Sequence, residues 1–233
     1  MLDHEGIIRA EAEGIAVAGE GADGASPVPG TDWTLADLLH HVGRLSWYWS
    51  GRVRSAGGGE FYDTDRPEGT APSDWLRQGT ATMGEQLSAA APDAEIKTWA
   101  GLQPPSWLWR RMTHELAVHR WDAQAAAGTP EPITTDVAED GIDELLGEFL
   151  PAADITGVGG TLHLHATDGD GEWFIDPTGD GLTWERSHTK ADVAVRGTTS
   201  DLLLVLWGRK DTDAVEVLGD EAVLTRWRES TRF

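Results

Sequence analysis

The sequence predicts an α+β protein of two domains, an N-terminal four-helix bundle over residues 1–150 and a small C-terminal α+β domain over residues 151–233. Two observations carry that reading. Four stretches before Pro130 repeat apolar residues at helical spacing, two of them strongly. After Pro130 the character changes to short alternating segments separated by Gly/Asp turns, which places the boundary near residues 130–155. A length of 233 residues suits one large domain or two small ones.

Residues 4–19 form a glycine-weakened helix, and Gly21 to Gly30 is a loop by composition. A strong helix then starts at Thr31-Asp32-Trp33-Thr34, with Thr34 or Asp32 as its cap. Leu35, Leu38, Leu39, Val42, Leu45, Trp49 and Val53 recur along one face until Gly57-Gly58-Gly59 stops it. Residues 60–72 read as a loop. A third helix runs from about Ser73 to Ala90, and Pro92 to Pro105 is a long connection. Ser106 is placed to cap a fourth helix that reaches about Ala127 and ends at Gly128 and Pro130. Four helices, two of them strongly amphipathic, suggest an antiparallel bundle.

Residues 134–150 give one more helix, capped by Thr134 or Thr135. Strand-like segments follow at Thr161–Ala166, Glu172–Ile175, Leu182–Arg186 and Asp192–Arg196. Asp168-Gly169-Asp170-Gly171 and Gly179-Asp180-Gly181 are the turns between them. Thr199–Trp207 reads as helix, Val215–Leu218 as strand and Glu221–Arg228 as helix.

The chain carries 18 Lys+Arg against 40 Asp+Glu, a net charge of −22. That field repels phosphate, so nucleic acid and anionic membrane surfaces are not expected partners. A small anionic substrate then requires arginines that converge locally, and Arg44, Arg110, Arg111 and Arg120 are the candidates. The absence of cysteine excludes disulfides, thiolate-ligated zinc and a protein thiol nucleophile. Asp3, Glu5, Glu11 and Glu13 argue against a signal peptide. No apolar run reaches the roughly 18 residues of a membrane span, so a soluble cytoplasmic protein is expected.

The residues with chemistry lie on the second and fourth helices. Glu115 and His119 are four apart, which puts a carboxylate and an imidazole on one helical face. His119 falls within the stripe of Leu108, Met112, Leu116 and Ala123, and Glu115 at its edge. His114 points about 140° away from His119, which rules against a His-Glu-x-x-His zincin pattern. On the second helix His40 sits opposite the apolar stripe and His41 on its flank, so His41 is the histidine that can face a neighbouring helix. His41, Glu115 and His119 together can hold a divalent metal with an open position. Asp122 is placed to orient an imidazole from behind. The bland alternatives are a hydrogen-bonded core histidine, a plain Glu115–His119 ion pair and a surface Asp122. Twelve tryptophans, among them Trp33, Trp47, Trp49, Trp107, Trp109 and Trp121, serve as core or pocket lining.

Two runs of sequence carry a family resemblance. Pro29-Gly30-Thr31-Asp32-Trp33-Thr34-Leu35-Ala36-Asp37-Leu38-Leu39-His40-His41-Val42-Gly43 resembles the "gWtvadLlaHlg" opening of mycothiol-dependent maleylpyruvate isomerase-like proteins. Arg111-Met112-Thr113-His114-Glu115-Leu116-Ala117-Val118-His119-Arg120-Trp121-Asp122 is similar to their "RmahEtavHrwDa" helix. Ala191–Gly197, Asp201–Arg209 and Val217–Asp220 extend the similarity in order through the C-terminal half. The N-terminal segment departs from the pattern, being short and glycine-rich.

The resemblance implies a DinB-like metal-binding bundle followed by a sterol-carrier-like α/β domain, with His41, Glu115 and His119 as the metal ligands. It also implies a divalent metal, Zn²⁺ being the expected ion, and mycothiol or a similar low-molecular-weight thiol as cosubstrate. The implied chemistry is addition of a thiolate to maleylpyruvate, rotation about the resulting single bond, and elimination to the trans isomer. Transfer of the sulfur to another electrophile is the related possibility. Arg111, one turn before Glu115, and Arg209, in the second domain, are candidates to meet a dianionic substrate or are ordinary ion-pair partners. A metal-dependent hydrolase using bound water, and a non-catalytic binding or regulatory module, are the competing readings.

Overall fold

Thr34 begins the helix that carries His41. Its hydroxyl accepts the Asp37 N–H at 3.3 Å while the Asp37 carboxylate accepts the Thr34 N–H at 2.9 Å, a reciprocal capping box. Of the two expected caps, Thr34 is the one used. The structure, a computed structural model, describes residues 2–60, 65–150, 157–179 and 181–231. The chain divides into two compact units, Met1–Glu131 and Pro132–Phe233.

The first unit contains four long helices, α1 (His4–Gly21), α2 (Leu35–Ala56), α3 (Pro72–Ala89) and α4 (Pro105–Ala126). Ile8, Ile15, Leu38, Val42, Met83, Leu108, Met112 and Leu116 close its core. Helix α2 packs on α3 through glycine. A Cβ on Gly43 would lie 2.5 Å from the Trp75 ring, and one on Gly79 2.8 Å from the Trp47 ring. Those two positions let the backbones approach so closely that an indole covers each.

Two expectations for this unit are corrected. Helix α4 starts at Pro105 and not from a Ser106 cap, because proline at the first turn has its φ preset and no N–H to satisfy. The stretch Pro92 to Pro105, read as a long connection, holds a small antiparallel hairpin of β1 (Ile96–Thr98) and β2 (Gly101–Gln103).

The second unit contains α5 (Thr135–Glu144), which continues into a π-helical turn over Leu145–Phe149. Next come β3 (Leu162–Ala166), β4 (Glu172–Asp176), β5 (Thr183–Glu185), β6 (Val193–Gly197), α6 (Thr199–Leu206), β7 (Glu216–Gly219) and α7 (Glu221–Ser230). The sheet order is β5-β4-β3-β6-β7; β3 and β6 are parallel and the other neighbours antiparallel. Leu162, Leu164, Trp173, Ile175, Val193 and Val195 are buried at alternating positions, which is the period-two pattern of a sheet with one core face.

The division falls at Glu131/Pro132, at the early end of the expected window of 130–155, and differs from the bounds 1–150 and 151–233 in the placing of α5. Helix α5 is amphipathic like the bundle helices, but its neighbours are in the second unit. Asp143 accepts hydrogen bonds from the Trp173 indole at 2.8 Å and from Arg186, and the helix lies against α6. Residues 151–156, where the expected boundary begins, lie outside the described residues, as do Asp180 of the Gly179–Gly181 turn and residues 61–64 of the 60–72 loop. Among the described residues no helix is long and apolar enough to cross a membrane.

Candidate metal centre

Helix α4 is buried almost all round, and Arg111, Thr113, His114, His119, Arg120 and Asp122 are all buried polar residues on it. Buried polar groups cost several kcal/mol unless they are paired, so each requires a partner. Arg120 finds Glu11 of α1 at 2.7 Å, together with Gln124 and the Glu131 carbonyl. It therefore serves the α1–α4 contact. Arg44 is exposed on α2.

The remaining stripe of α4 is Arg111, Glu115, His119 and Asp122, at spacings of four, four and three. The Arg111 guanidinium donates to Glu115 Oε2 in a very short contact. His119 Nε2 lies 3.2 Å from Glu115 Oε1, and His41 Nε2 of α2 lies 3.4 Å from the same oxygen. The two imidazoles are edge-to-face, with centroids 5.1 Å apart. One donor atom from each of His41, Glu115 and His119 falls within 4.8 Å of the others. The structure thus brings the three expected residues together from two helices.

Behind this set, Asp122 is fully buried and its Oδ2 lies 2.9 Å from His119 Nδ1. With the proton on Nδ1 donated to Asp122, the Nε2 lone pair points at the centre of the group. Side-chain exposure rises from 7% at His119 through 21% at Glu115 to 35% at His41, so the group opens to solvent on the His41 side.

The electrostatics follow from burial and neighbours. Burial alone would raise the Glu115 carboxyl, but the Arg111 charge and the hydrogen bonds from His119 and His41 outweigh it and hold the carboxyl well below its ordinary value. Burial would lower His119, yet Asp122 and Glu115 push it up to about 9. The centre is therefore a buried cluster of alternating charge, Arg111 and His119 against Glu115 and Asp122.

Trp33 roofs the group, at 4.7 Å from the His41 ring and 6.1 Å from the His119 ring between centroids. It is fixed by the turn before α2. The Val28 N–H donates to the Trp33 carbonyl at 2.9 Å, the Thr31 hydroxyl accepts the Trp33 N–H, and Gly30 supplies the φ of +72° the turn needs. The sequence gives Trp33 no role in the site; its place just before the cap of the histidine-bearing helix is the signal that sets it apart.

The two histidines that the sequence reading set aside, His40 and His114, lie outside the group. His40 stacks on Trp75 at 5.5 Å, and His114 is buried on another face of α4. Arg209 belongs to the second unit, in the turn after α6, where its guanidinium donates to the Trp207 carbonyl at 2.9 Å. A cleft of about 390 Å³ beside α1, α3 and α4, lined by Glu5, Arg9, Glu13, Arg77, Glu85 and Trp109, shares no residue with the His41/Glu115/His119 group.

Comparison with known proteins matches residues 8–124 to the mycothiol maleylpyruvate isomerase N-terminal domain and residues 136–226 to the MDMPI C-terminal domain. No curated protein sequence matches the chain. Two solved structures resemble it in fold. One is a mycothiol-dependent maleylpyruvate isomerase, 17% identical with a TM-score of 0.65. The other is a histidine-to-alanine mutant of such an isomerase, 15% identical with a TM-score of 0.67. In both comparisons 92% of this chain aligns with 91% of the other. With the family's N- and C-terminal domains matched in order, the chain belongs to the mycothiol maleylpyruvate isomerase family.

Proposed function

We propose that the chain is a metal-dependent enzyme that uses a low-molecular-weight thiol of the mycothiol type. Its reaction is cis–trans isomerisation of a maleylpyruvate-like substrate, or transfer of the sulfur to a related electrophile. One observation carries this reading: two imidazole nitrogens and a carboxylate oxygen from two helices converge within 4.8 Å, in a group open to solvent on one side. Nitrogen and oxygen donors of this kind suit Zn²⁺, and three protein ligands leave a coordination position open. His41, Glu115 and His119 are accordingly the proposed ligands. A cation held there lowers the pKa of a thiol, about 8.5 in water, so that the thiolate persists at neutral pH.

The chain's own residues set up that chemistry. Glu115 reduces the charge of a divalent site by one, and Arg111 holds the Glu115 carboxylate in place, which makes Arg111 a positioning residue. Asp122 keeps the His119 proton on Nδ1. Trp33 shields the two rings from water. The chain has no cysteine, so the nucleophilic sulfur arrives with the cosubstrate. Addition of that thiolate to the activated double bond leaves a single bond free to rotate, and elimination returns both the thiol and the trans alkene.

The test is turnover of maleylpyruvate by metal-stripped and Zn²⁺-reconstituted protein, with and without mycothiol. Activity that requires both metal and thiol is the expected result. Turnover without any thiol would point to a hydrolase, and turnover unaffected by metal removal would remove the metal from the account.

A further inference from the structure

A second convergence of ligand-type side chains lies in the C-terminal unit. His163 and His165 alternate along β3, and the register pairs His165 with Glu172 across the β3–β4 ladder. All three side chains therefore stand on the sheet face opposite Leu162, Leu164, Trp173 and Ile175. His188, from the segment following β5, joins them.

The four side chains meet at one carboxylate. His165 Nδ1 lies 3.0 Å from Glu172 Oε1, while His163 Nε2 and His188 Nδ1 lie 3.2 Å and 2.5 Å from Oε2. The three rings are mutually edge-to-face, with centroids 5.0 to 6.0 Å apart and interplanar angles of 69°, 84° and 77°. One donor atom from each of the four residues falls within 4.8 Å of every other. A tetrahedral shell with bonds of about 2.0–2.1 Å needs donors about 3.3–3.4 Å apart. The contacts to Glu172, at 2.5 to 3.2 Å, and the 4.8 Å spread of the donors bracket that spacing.

We infer that His163, His165, Glu172 and His188 form a second divalent transition-metal site, with Zn²⁺ as its ion. Three imidazoles and one carboxylate are the donors such an ion prefers, whereas Mg²⁺ and Ca²⁺ call for oxygen. Four protein donors fill a tetrahedral shell, so the site is of the closed, structural kind and distinct in role from the His41/Glu115/His119 centre. It clamps the β3–β4 hairpin to the segment after β5. His163 is buried and His188 is 75% exposed, so the ion enters from the His188 side. The net charge of −22 favours cation capture over the whole surface, which is why the test must separate this site from diffuse binding.

The experiment is Zn²⁺ titration of the metal-stripped full chain against a competing chelator, for wild type, H119A, H188A and the H165A/H188A double variant. Wild type is expected to bind two equivalents, H119A one and H165A/H188A one. The single change at exposed His188, which leaves the fold intact, is expected to weaken one equivalent at least about tenfold, since even a residue behind a ligand is worth about 10- to 100-fold. Identical stoichiometry and affinity for wild type and both His188 variants would overturn this inference. Loss of all chelator-resistant binding in H119A would overturn it as well. Unchanged binding in H119A alone would count against the bundle centre and leave this one standing, so the two readings fail separately.

Discussion

Asp122→Asn isolates the contribution of the residue behind His119. The change is isosteric, and the side chain is fully buried, 2.9 Å from His119 Nδ1. In a metal-bound centre the imidazole donates Nδ1–H to Asp122. A hydrogen bond to a charged acceptor is worth about 1.5–3 kcal/mol, against about 0.5–1.5 for a neutral pair. The loss, about 1–1.5 kcal/mol and at most about 2.5, corresponds to metal binding weaker by about 5- to 13-fold and at most about 70-fold. One effect opposes it. Asp122 also helps push the His119 pKa up to about 9, so in wild type the metal competes with a proton at neutral pH. At pH 9 that competition falls to about twofold, and chelator competition at this pH reads the hydrogen bond itself. Equal affinity of wild type and Asp122→Asn at pH 9, with the fold intact by circular dichroism, would refute the orienting role of Asp122.

Other perturbations test the scaffold. Gly43→Ala places a Cβ 2.5 Å from the Trp75 ring and is expected to destabilise the α2–α3 contact by about 1–3 kcal/mol, read as a lower thermal midpoint. Arg120→Met strands the buried Glu11 carboxylate, with an expected cost of about 3–5 kcal/mol in denaturant unfolding. Asp168 accepts the Thr199 N–H and hydroxyl, each at 2.8 Å, at the start of α6. Partial burial would raise its carboxyl, but those bonds and the Thr135 hydroxyl hold it below the ordinary value. Its contribution, about 1 kcal/mol for an exposed group, is therefore complete above the unfolded pKa of about 3.9 and disappears as pH falls through the lower folded value. The stability gap between wild type and Asp168→Asn should accordingly be present at pH 7 and narrow as pH falls below about 3.9.

The parts of the fold legible in the sequence were those whose periodicity speaks for itself. The Leu35–Val53 stripe and the Leu108–Ala123 stripe gave α2 and α4 to within a few residues, and alternation gave β3, β4 and β6. Periodicity says that a face is buried but not what buries it. Helix α5 looked like another bundle helix until its hydrogen bonds to Trp173 and Arg186 placed it with the sheet. The β1–β2 hairpin has no such signature, because three-residue strands are too short to show alternation.

The bundle centre was legible because both of its signals are local. Glu115 and His119 lie one helical turn apart, and His41 rather than His40 flanks the apolar stripe of α2. Arg111 shares that face by the same arithmetic, but its pairing with Glu115, rather than with an outside anion, needed coordinates. The second cluster was not legible. His163-x-His165 on a strand is a visible same-face pair, but Glu172 joins it only through the β3–β4 register and His188 only through the path of the chain after β5.

Anomalous diffraction at the zinc edge, on crystals of the Zn²⁺-loaded full chain, tests the central claim most directly. The account predicts a peak about 2.0–2.2 Å from His41 Nε2, His119 Nε2 and a Glu115 carboxylate oxygen. A loaded crystal with no peak among these three, or with one that leaves His41 outside its shell, would contradict it.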